Sequence, residues 1–447
     1  MKHKSKIQLS DHFTYSRLLR FVFPSIVMMI FTSIYGVVDG LFVSNYVGKT
    51  PFAAVNLIMP FLMIMGAVGF MFGTGGSAIV SKALGEGKPI KANQYFSMMV
   101  YVVIGCGIVL TLIGLIFLRP IAVAFGATGD MLENCVIYGR IILSALTAFM
   151  LQNVFQSFLV TAERPTLGLI VTIAAGVANM LLDFIFIAIF HWGIVGAAAA
   201  TAISQFTGGL LPLIYFSRPN TSLLKLVKTK IDANILLKTC INGSSELMIN
   251  VSMSLVNILY NFQLMHYIGE DGIAAYGVIM YVSFIFAAIF IGYSIGSAPV
   301  IGYHYGAGNH SELKGLFQKS ICLISLWNLL LTLIAIGTSL PLSHIFVGYD
   351  AELASLTRRG LYLYSLSFLI TGFNIFSSAF FTALGNGVIS ASISFLRTLL
   401  FQVAAVLIIP FFLGPDGIWL SIVAAELLAL IVTIFFFVKK GTYYHYI

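Results

Sequence analysis

Long apolar runs separated by short polar breaks dominate this chain. Each run is long enough to cross about 30 Å of hydrocarbon, which takes about 20 helical residues. Polar residues, Gly or Pro stand between the runs. We predict spans near residues 15–43, 51–80, 93–118, 131–160, 166–190, 193–216, 235–264, 272–302, 312–337, 352–381, 387–411 and 416–438. The pattern therefore predicts an all-α integral membrane protein with twelve transmembrane helices.

The sequence also repeats itself at about half its length. Residues 46–55 read YVGKTPFAAV and residues 267–276 read YIGEDGIAAY, so Gly48 matches Gly269 at an offset of 221. Further matched points at this offset lie along both halves, which chance similarity of apolar sequence rarely produces. Two equal halves joined by one linker are the usual construction of a secondary transporter. The repeat therefore favours transport.

The repeat predicts two six-helix lobes. We expect an N-terminal lobe over residues 1–216, a cytoplasmic linker over 217–234 and a C-terminal lobe over 235–447. Because six is even, both lobes enter the membrane from the same side, and the repeat is parallel about an axis along the membrane normal. A single chain contains both lobes, so we expect a monomer.

Composition excludes a soluble domain. Hydrophobic residues make up 59% of the chain and charged residues 9%, with a mean hydropathy of +0.99. A soluble domain has about 25% charged residues. The four cysteines lie within or at the edges of predicted spans, where they act as small apolar residues and not as disulfide partners. They are Cys106, Cys135, Cys240 and Cys322.

The basic residues indicate an orientation in the membrane. The net charge of +8 does not point to nucleic acid, because most of the cations flank predicted spans on one side. These are Lys2, Lys4, Lys6, Lys82, Lys88, Lys91, Arg218, Lys225, Lys228, Lys230, Lys439 and Lys440. The opposite loops carry Asp130, Glu270, Asp271, Asp350 and Asp416, with Lys49, Arg119, Arg358 and Arg359 as exceptions. The positive-inside rule predicts that both termini are cytoplasmic in a bacterial-type inner or plasma membrane.

Two carboxylates inside the predicted spans need an explanation, because a charge in hydrocarbon is costly unless it is paired or protonated. Asp39 lies nine residues before Gly48, and Asp183 lies nine residues before Trp192. Gly48 and Trp192 belong to predicted outer turns, so Asp39 and Asp183 should lie roughly 13 Å below those turns. Thr201 lies nine residues after Trp192 and returns its hydroxyl to the same depth. We expect one polar layer.

Neighbouring side chains extend this layer. Asn179 precedes Asp183 by four residues, and Tyr35 stands likewise to Asp39, so each pair shares one helical face. Such a group could hold Na⁺ with oxygen ligands or carry a proton, and the residues alone leave both open. The alternative is that each Asp only caps a broken helix or satisfies a neighbour.

The repeat supplies an internal control. At the 221 offset Asp39 falls on Tyr260 and Asp183 falls on Ala404, so the acids do not recur in the second half. A half can therefore fold without them, which favours a function located in the first half only.

Other intramembrane polar residues are weaker candidates for a functional site. Glu246 either pairs with Lys238 or faces a cavity and binds substrate or a proton. Arg397 and Glu426 are expected to form a structural ion pair. The fourth span has a polar stretch more typical of interhelical hydrogen bonding than of a site. Its members are Gln152, Asn153 and Gln156.

No enzyme or cofactor is indicated. The chain has no zinc motif, no P-loop and no serine elbow. The glycines at 85–87 and 306–308 lack the preceding strand and the Lys-Ser/Thr of a P-loop. With no nucleotide-binding domain, an ion gradient is the expected energy source, and H⁺ or Na⁺ is the expected coupling ion.

With the duplicated halves and the acid layer in view, the chain resembles the multidrug and toxic compound extrusion (MATE) family, MepA-like branch. The resemblance spans nearly the whole length. It is carried by the stretches VVDGLFVSNYVG, GFMFGTGGSAIVSKALGEGK, ANMLLDFIFI and NGSSELMIN. It implies a V-shaped pair of helical bundles that exports organic cations and drugs in exchange for H⁺ or Na⁺.

The resemblance also implies site residues. Asp39, Asn179, Asp183 and Thr201 match the cation site of the family's first lobe. Tyr35 and Asn153 are weaker neighbours. Glu246 lies in the seventh helix, where other members use an acid. The tenth-helix Asp of some members has no counterpart, because the span over residues 360–381 contains no acid.

Two other function classes compete with drug export. A lipid or lipid-linked oligosaccharide flippase is the first, but it would need a cationic cavity, and the intramembrane arginines are few. A channel or structural membrane protein is the second, and it has little use for an acid layer in only one half. We expect small organic cations and membrane lipids as partners.

Overall fold

The computed structural model describes residues 7–348 and 350–447, and within them every regular element is helical. Lys2, Lys4 and Lys6 lie outside the described residues. The first half consists of α1 (Tyr15–Phe42), α2 (Lys49–Gly85), α3 (Pro89–Ala124), α4 (Gly129–Ser144), α5 (Leu146–Thr161), α6 (Pro165–Asp183) and α7 (Gly193–Ser217). The second half consists of α8 (Ala233–Tyr267), α9 (Glu270–Gly306), α10 (His310–Val347), α11 (Ala351–Ser365), α12 (Phe368–Ala383), α13 (Gly387–Phe395), α14 (Phe401–Leu413) and α15 (Pro415–Tyr444).

These helices confirm the prediction of an all-α membrane protein. Ten segments of the described chain are long and apolar enough to cross a membrane. Two bent pairs, α4 with α5 and α11 with α12, raise the number to twelve if each pair is one span. The segment between the halves is non-helical from residue 218 to residue 232. It lies against α3, where Asn93 accepts a hydrogen bond from the Lys225 amide at 2.6 Å.

The fourth and tenth predicted spans are broken, which their apolar pattern did not indicate. The bend is 53° between α4 and α5 and 50° between α11 and α12. Neither break has a proline, but Ser144 and Ser365 lie at these positions, and each hydroxyl donates to a carbonyl of the preceding turn. Such back-bonding competes with the helical ladder and bends it. The two serines are 221 residues apart, so the bend is part of the repeat.

Three π-helical segments continue α-helices: Val43–Val47 after α1, Phe184–Ile189 after α6 and Leu396–Leu400 after α13. The first two contact each other. They begin close to Asp39 and Asp183, and the third contains Arg397. Single π-turns inside helices occur often at functional positions, because they redirect the side chains around them.

Glycines bring the two halves into backbone contact at the end of the molecule that holds the linker, which we call the linker end. A Cβ on Gly75 of α2 would lie 2.4 Å from the Thr239 carbonyl oxygen of α8. A Cβ on Gly243 of α8 would lie 2.0 Å from the Met71 carbonyl oxygen. No side chain fits at either position. Small residues permit this approach, and close packing replaces the hydrophobic effect that is missing between helices in lipid.

The contact continues along α9 but stops toward the opposite end. Gly85 of α2 lies against the last turn of α9, because a Cβ added to Gly85 would lie 2.0 Å from the Tyr303 carbonyl oxygen. By contrast, added Cβ atoms on Gly36, Gly40 and Gly277 would find no atom within 4 Å. The halves are therefore tightly packed at the linker end and loosely packed away from it.

A methyl group at the α2–α8 contact should destabilise this packing. We expect Gly243→Ala to lower the free energy of unfolding by about 1–3 kcal/mol, because the backbones must move apart. Thermal unfolding of the purified protein in detergent measures it. Gly277→Ala is the matched control, since its Cβ enters open space. Equal midpoints for Gly243→Ala and wild type would contradict the contact.

Candidate functional site

Four polar side chains from three helices meet in the first half, toward the end opposite the linker. Asp39 comes from α1, Asn179 and Asp183 from α6, and Thr201 from α7. The Asp39 carboxylate faces the Asp183 carboxyl, the Asn179 amide and the Thr201 hydroxyl. We call these four residues the acid group. The structure thus brings together the residues that the equal spacing from the outer turns had selected.

A glycine on α6 allows the acids to approach. A Cβ on Gly176 would lie 2.5 Å from the Phe31 ring and 2.8 Å from the Tyr35 ring, both on α1. With only hydrogen at this position, α1 lies close against α6 two helical turns before Asp183. Asp39 follows Tyr35 by one turn and reaches the level of Asp183. The approach of α1 to α6 at Gly176 therefore allows Asp39 to reach Asp183.

Asp183 and Asn179 are buried, Asp39 and Thr201 are half-buried, and several polar atoms of the acid group lack a well-formed hydrogen bond. Asp183 is 0% exposed and Asn179 is 2% exposed. Within the described part of the chain, both Asp183 oxygens, one Asp39 oxygen, both Asn179 amide atoms and the Thr201 hydroxyl have no hydrogen-bond partner of good geometry. Buried polar atoms are nearly always paired, and unpaired acids in hydrocarbon are costly. The arrangement is one that a bound cation or proton would complete.

Tyr138 is a member of this site that the sequence pattern did not reveal. It lies on α4, is 1% exposed, and faces both carboxylates and Thr201. Its helix ends six residues later at the Ser144 bend. Because that bend was not expected, nothing in the spacing placed the tyrosine beside the acids. A tyrosine in an apolar span gives no separate signal, since membrane helices are rich in aromatic residues.

The polar residues of α5 lie beside the acid group and not within it. Tyr35 of α1 neighbours both Asp39 and Gln152. Gln152 and Gln156 line a small cavity of about 10 Å³ with Thr172. That volume is close to the minimum that holds one water molecule. Gln156 follows Gln152 by four residues, so it lies one turn of α5 further along than the residue that neighbours Tyr35.

The second half has its own buried polar network, although it lacks counterparts of Asp39 and Asp183. Arg397 and Glu426 form the expected ion pair, with the Arg397 Nη2 2.8 Å from Glu426 Oε1. Asn374 donates to Glu426 Oε2 at 2.6 Å, and Thr433 donates to Asn374 Oδ1 at 2.9 Å. Asn374 matches Asn153 at the 221 offset, but the Asn153 amide nitrogen is buried without a partner.

Glu246 is a partly exposed acid on α8. Among the described residues its carboxylate has no hydrogen bond and no cation beside it, so the pairing with Lys238 does not form. Asn250 and Asn257 follow it by four and eleven residues, on one helical face. Asn257 accepts a hydrogen bond from Tyr276 of α9 at 3.2 Å. The face of α8 toward α9 is therefore polar along three turns.

A conventional metal centre is not present among residues 7–348 and 350–447, where no three His, Cys, Asp or Glu side chains cluster. The acid group instead offers two carboxylates, an amide oxygen and hydroxyls. Hard oxygen donors of this kind suit a proton or a hard cation such as Na⁺.

An all-helical membrane bundle with unpaired acids inside its spans defines a multi-pass membrane transporter as the class of this protein. The sequence profile of the MatE family matches residues 24–185 and again residues 247–408, together more than half of the chain. The chain belongs to the MATE family. Members of this family are transporters and not enzymes, which confirms the expectation that no enzyme chemistry is present.

Distant relatives agree with this assignment. Multidrug export protein MepA from Staphylococcus haemolyticus (strain JCSC1435) is 25% identical over 388 residues, which cover 87% of this chain and 85% of the relative. Multidrug export protein MepA from Staphylococcus aureus (strain MRSA252) is 24% identical over 430 residues, 93% of this chain and 92% of the relative. The resemblance to the MepA-like branch is thereby confirmed.

Solved structures share the fold. A MATE protein crystallised in complex with MaL6 superposes with a TM-score of 0.93 at 22% identity, covering 99% of both chains. A MATE family transporter in an outward-facing conformation gives 0.92 at 22% identity, again over 99% of both chains. A Pyrococcus furiosus transporter described as having a binding pocket of reversed polarity gives 0.91 over 99% of both chains.

Breaking the Arg397–Glu426 pair should destabilise the second half. We expect Glu426→Ala to lower the free energy of unfolding by about 3 kcal/mol, because it leaves a half-buried guanidinium unpaired. Thermal and denaturant unfolding in detergent measure the loss.

Two comparisons test the cause. The double variant Arg397→Met with Glu426→Met should recover much of the loss, because it removes both charges. Glu133→Ala, which breaks an exposed pair with Arg119, should cost about 0–1 kcal/mol. Similar losses for Glu426→Ala and Glu133→Ala would contradict a buried structural pair.

Proposed function

We propose that this protein is a secondary active efflux transporter that exports organic cations and other xenobiotics by antiport with H⁺ or Na⁺. The observation that carries the proposal is the acid group, in which two carboxylates face each other and several buried polar atoms lack a well-formed hydrogen bond. Curated relatives over most of the chain are named multidrug export proteins. Export against a gradient needs an energy source, and an ion that enters through the acid group supplies it.

The acid group is the proposed site of the coupling ion. Asp39 and Asp183 face each other, and two like charges in a low-dielectric site repel. A proton shared by the pair, or Na⁺ between them, removes this repulsion. Asn179, Thr201 and Tyr138 then supply neutral oxygens or hydrogen-bond donors. The two carboxylates act as one unit, so the ion's affinity belongs to the pair.

Helix α1 is the proposed link between the ion and the movement of the halves. It carries Asp39, and it contacts α6 of the first half and α9 of the second half. A Cβ on Gly292 of α9 would lie 2.5 Å from the Ile26 backbone of α1. An ion that draws Asp39 toward Asp183 favours one position of α1 over another. Differential affinity of this kind is all that coupling requires.

Glu246 is the proposed partner of cationic cargo. Its carboxylate is unpaired and half-buried on the polar face of α8, in the other half from the acid group, whose Asp183 is fully buried. A cation with an aromatic body gains from such a charge and from adaptable apolar walls. Arg397 is held by Glu426, which leaves little positive charge for an anionic lipid headgroup. The flippase alternative is therefore disfavoured.

We propose that the halves are two lobes of a monomer and that the linker end is cytoplasmic. Two arginines that are exceptions to the positive-inside rule at the opposite end are paired with acids. Arg119 lies 2.8 Å from Glu133, and Arg359 pairs with Asp416. Because the paired acids neutralise these two arginines, they add little to the positive charge at the end opposite the linker. With the linker end closed, the described form is outward-open.

Asp183→Asn should abolish coupled export and leave the protein folded, because an amide cannot be protonated or balance a cation. We expect ethidium movement in proteoliposomes to fall to the level of protein-free liposomes. The measurement uses an imposed pH gradient and then an imposed Na⁺ gradient, and the gradient that moves dye in the wild type identifies the ion.

Asp130→Asn provides the control, since it neutralises an exposed acid in the first turn of α4. It should retain wild-type transport. Normal coupled transport by folded Asp183→Asn would disprove the role of the acid group.

Glu246→Gln should weaken the binding of cationic cargo by about tenfold, because it removes the unpaired charge. Fluorescence anisotropy of ethidium with detergent-purified protein measures the affinity. Glu270→Gln is the control, because Glu270 is exposed in the first turn of α9. An unchanged affinity in Glu246→Gln would show that cargo binds elsewhere.

A further inference from the structure

The segment before α1 is inserted between the two halves at the linker end. We call residues 7–14 the strap. Leu9 and Phe13 are 0% exposed and belong to a core cluster formed mainly by residues of the second half. The Phe13 ring meets Phe21 edge-on with centroids 5.9 Å apart and His304 of α9 with centroids 6.3 Å apart. The strap is thus seated as part of the core.

Two buried glutamates hold the strap, one from each half. Glu163, in the turn after α5, accepts a hydrogen bond from the Leu9 amide at 2.8 Å. Glu312, in the first turn of α10, accepts one from the Phe13 amide at 2.8 Å. The second Glu312 oxygen lies 2.6 Å from His12 Nδ1. Both glutamates are 7% exposed, so their hydrogen bonds with the Leu9 and Phe13 amides are shielded from solvent, whereas the His12 side chain is exposed.

Local structure fixes both carboxylates in place. Glu163 has a positive φ of 58°, which is uncommon for a residue with a side chain. Glu312 follows Asn309, whose side chain accepts a hydrogen bond from the Glu312 amide at 3.2 Å and caps α10. A carboxylate in a first helical turn is also favoured by the helix dipole. The strap is therefore held by a carboxylate in a turn of the first half and by one in the capped first turn of a helix of the second half.

The strap lies at the end that must open if cargo is to enter from the cytoplasm. There Lys82 of α2 lies over the Tyr305 ring of α9 at 4.9 Å, across the contact between the halves. Opening separates α2 from α9. The strap continues into α1 of the first half, so it must leave its seat on Glu312 when the second half moves away.

We propose that the strap is a latch that holds the linker end closed, with Glu312 as its releasable anchor. The inference rests on the proposed alternation between outward-open and inward-open forms. The latch sets how much inward-open protein exists before cargo binds. Weakening it raises that fraction and leaves the acid group and Glu246 unchanged.

The test measures distances between spin labels at the linker end by double electron–electron resonance. Labels are placed at Lys91 of α3 and Ser311 of α10, which are exposed and lie in different halves. The full-length protein is used with its four cysteines replaced by serine. In Glu312→Ala we expect the longer-distance population to rise about threefold or more above the wild type.

A second variant separates the latch from any other role of Glu312. Leu9→Ala with Phe13→Ala keeps both glutamates and removes the apolar seat of the strap, so it should raise the same long-distance population. Glu86→Ala is the charge control at the same end, because Glu86 is bound to Lys88 at 2.7 Å and not to the strap. It should leave the distances unchanged.

The outcomes separate this proposal from the proposed function. Unchanged distances in both Glu312→Ala and the double alanine variant, with folded protein, would overturn the latch even if ethidium export is normal. Shifted distances without ethidium export in the wild type would support the latch and count against the proposed cargo. A shift in Glu86→Ala equal to that in Glu312→Ala would also overturn it.

Discussion

The constraint behind this structure is that hydrocarbon offers no hydrogen-bond partners. Every backbone group in a span must be satisfied within its own helix, which accounts for the all-helical architecture. Helices in lipid associate by close packing, and glycines such as Gly75 and Gly243 allow backbone contact between the halves. The same constraint makes each polar side chain inside the bundle costly unless it has a partner. An unpaired acid then indicates a missing ligand.

The two halves meet this constraint differently. In the second half Arg397, Glu426 and Asn374 satisfy one another, and the network is closed. In the first half Asp39 and Asp183 face each other with unpaired oxygens. A closed network has no need of an external ion, whereas two facing carboxylates do. Among the described residues, two similar scaffolds thus carry different polar interiors, and the facing carboxylates lie in the first half.

Helix α1 joins the features that a transport cycle requires. Its part far from the linker end carries Asp39, its part near the linker end packs on α9, and the strap before it reaches Glu312 of α10. An event at the acid group and an event at the linker end therefore act on one element. Allosteric coupling needs an element with two positions that both sites bias, and α1 is the element in contact with both.

The sequence by itself determined the membrane spans, the repeat and the common depth of Asp39, Asp183 and Thr201, because hydrophobic length and helical rise are local properties. It also predicted a charge-paired structural role for Arg397 and Glu426, since a charge inside a membrane span is costly unless it has a partner. Only the tertiary structure placed Tyr138 at the acid group, left Glu246 apart from Lys238 and seated the strap between the halves. Those outcomes depend on bends at Ser144 and Ser365 and on contacts between residues far apart in the chain. Periodicity along one helix carries no information about which neighbour that helix will face.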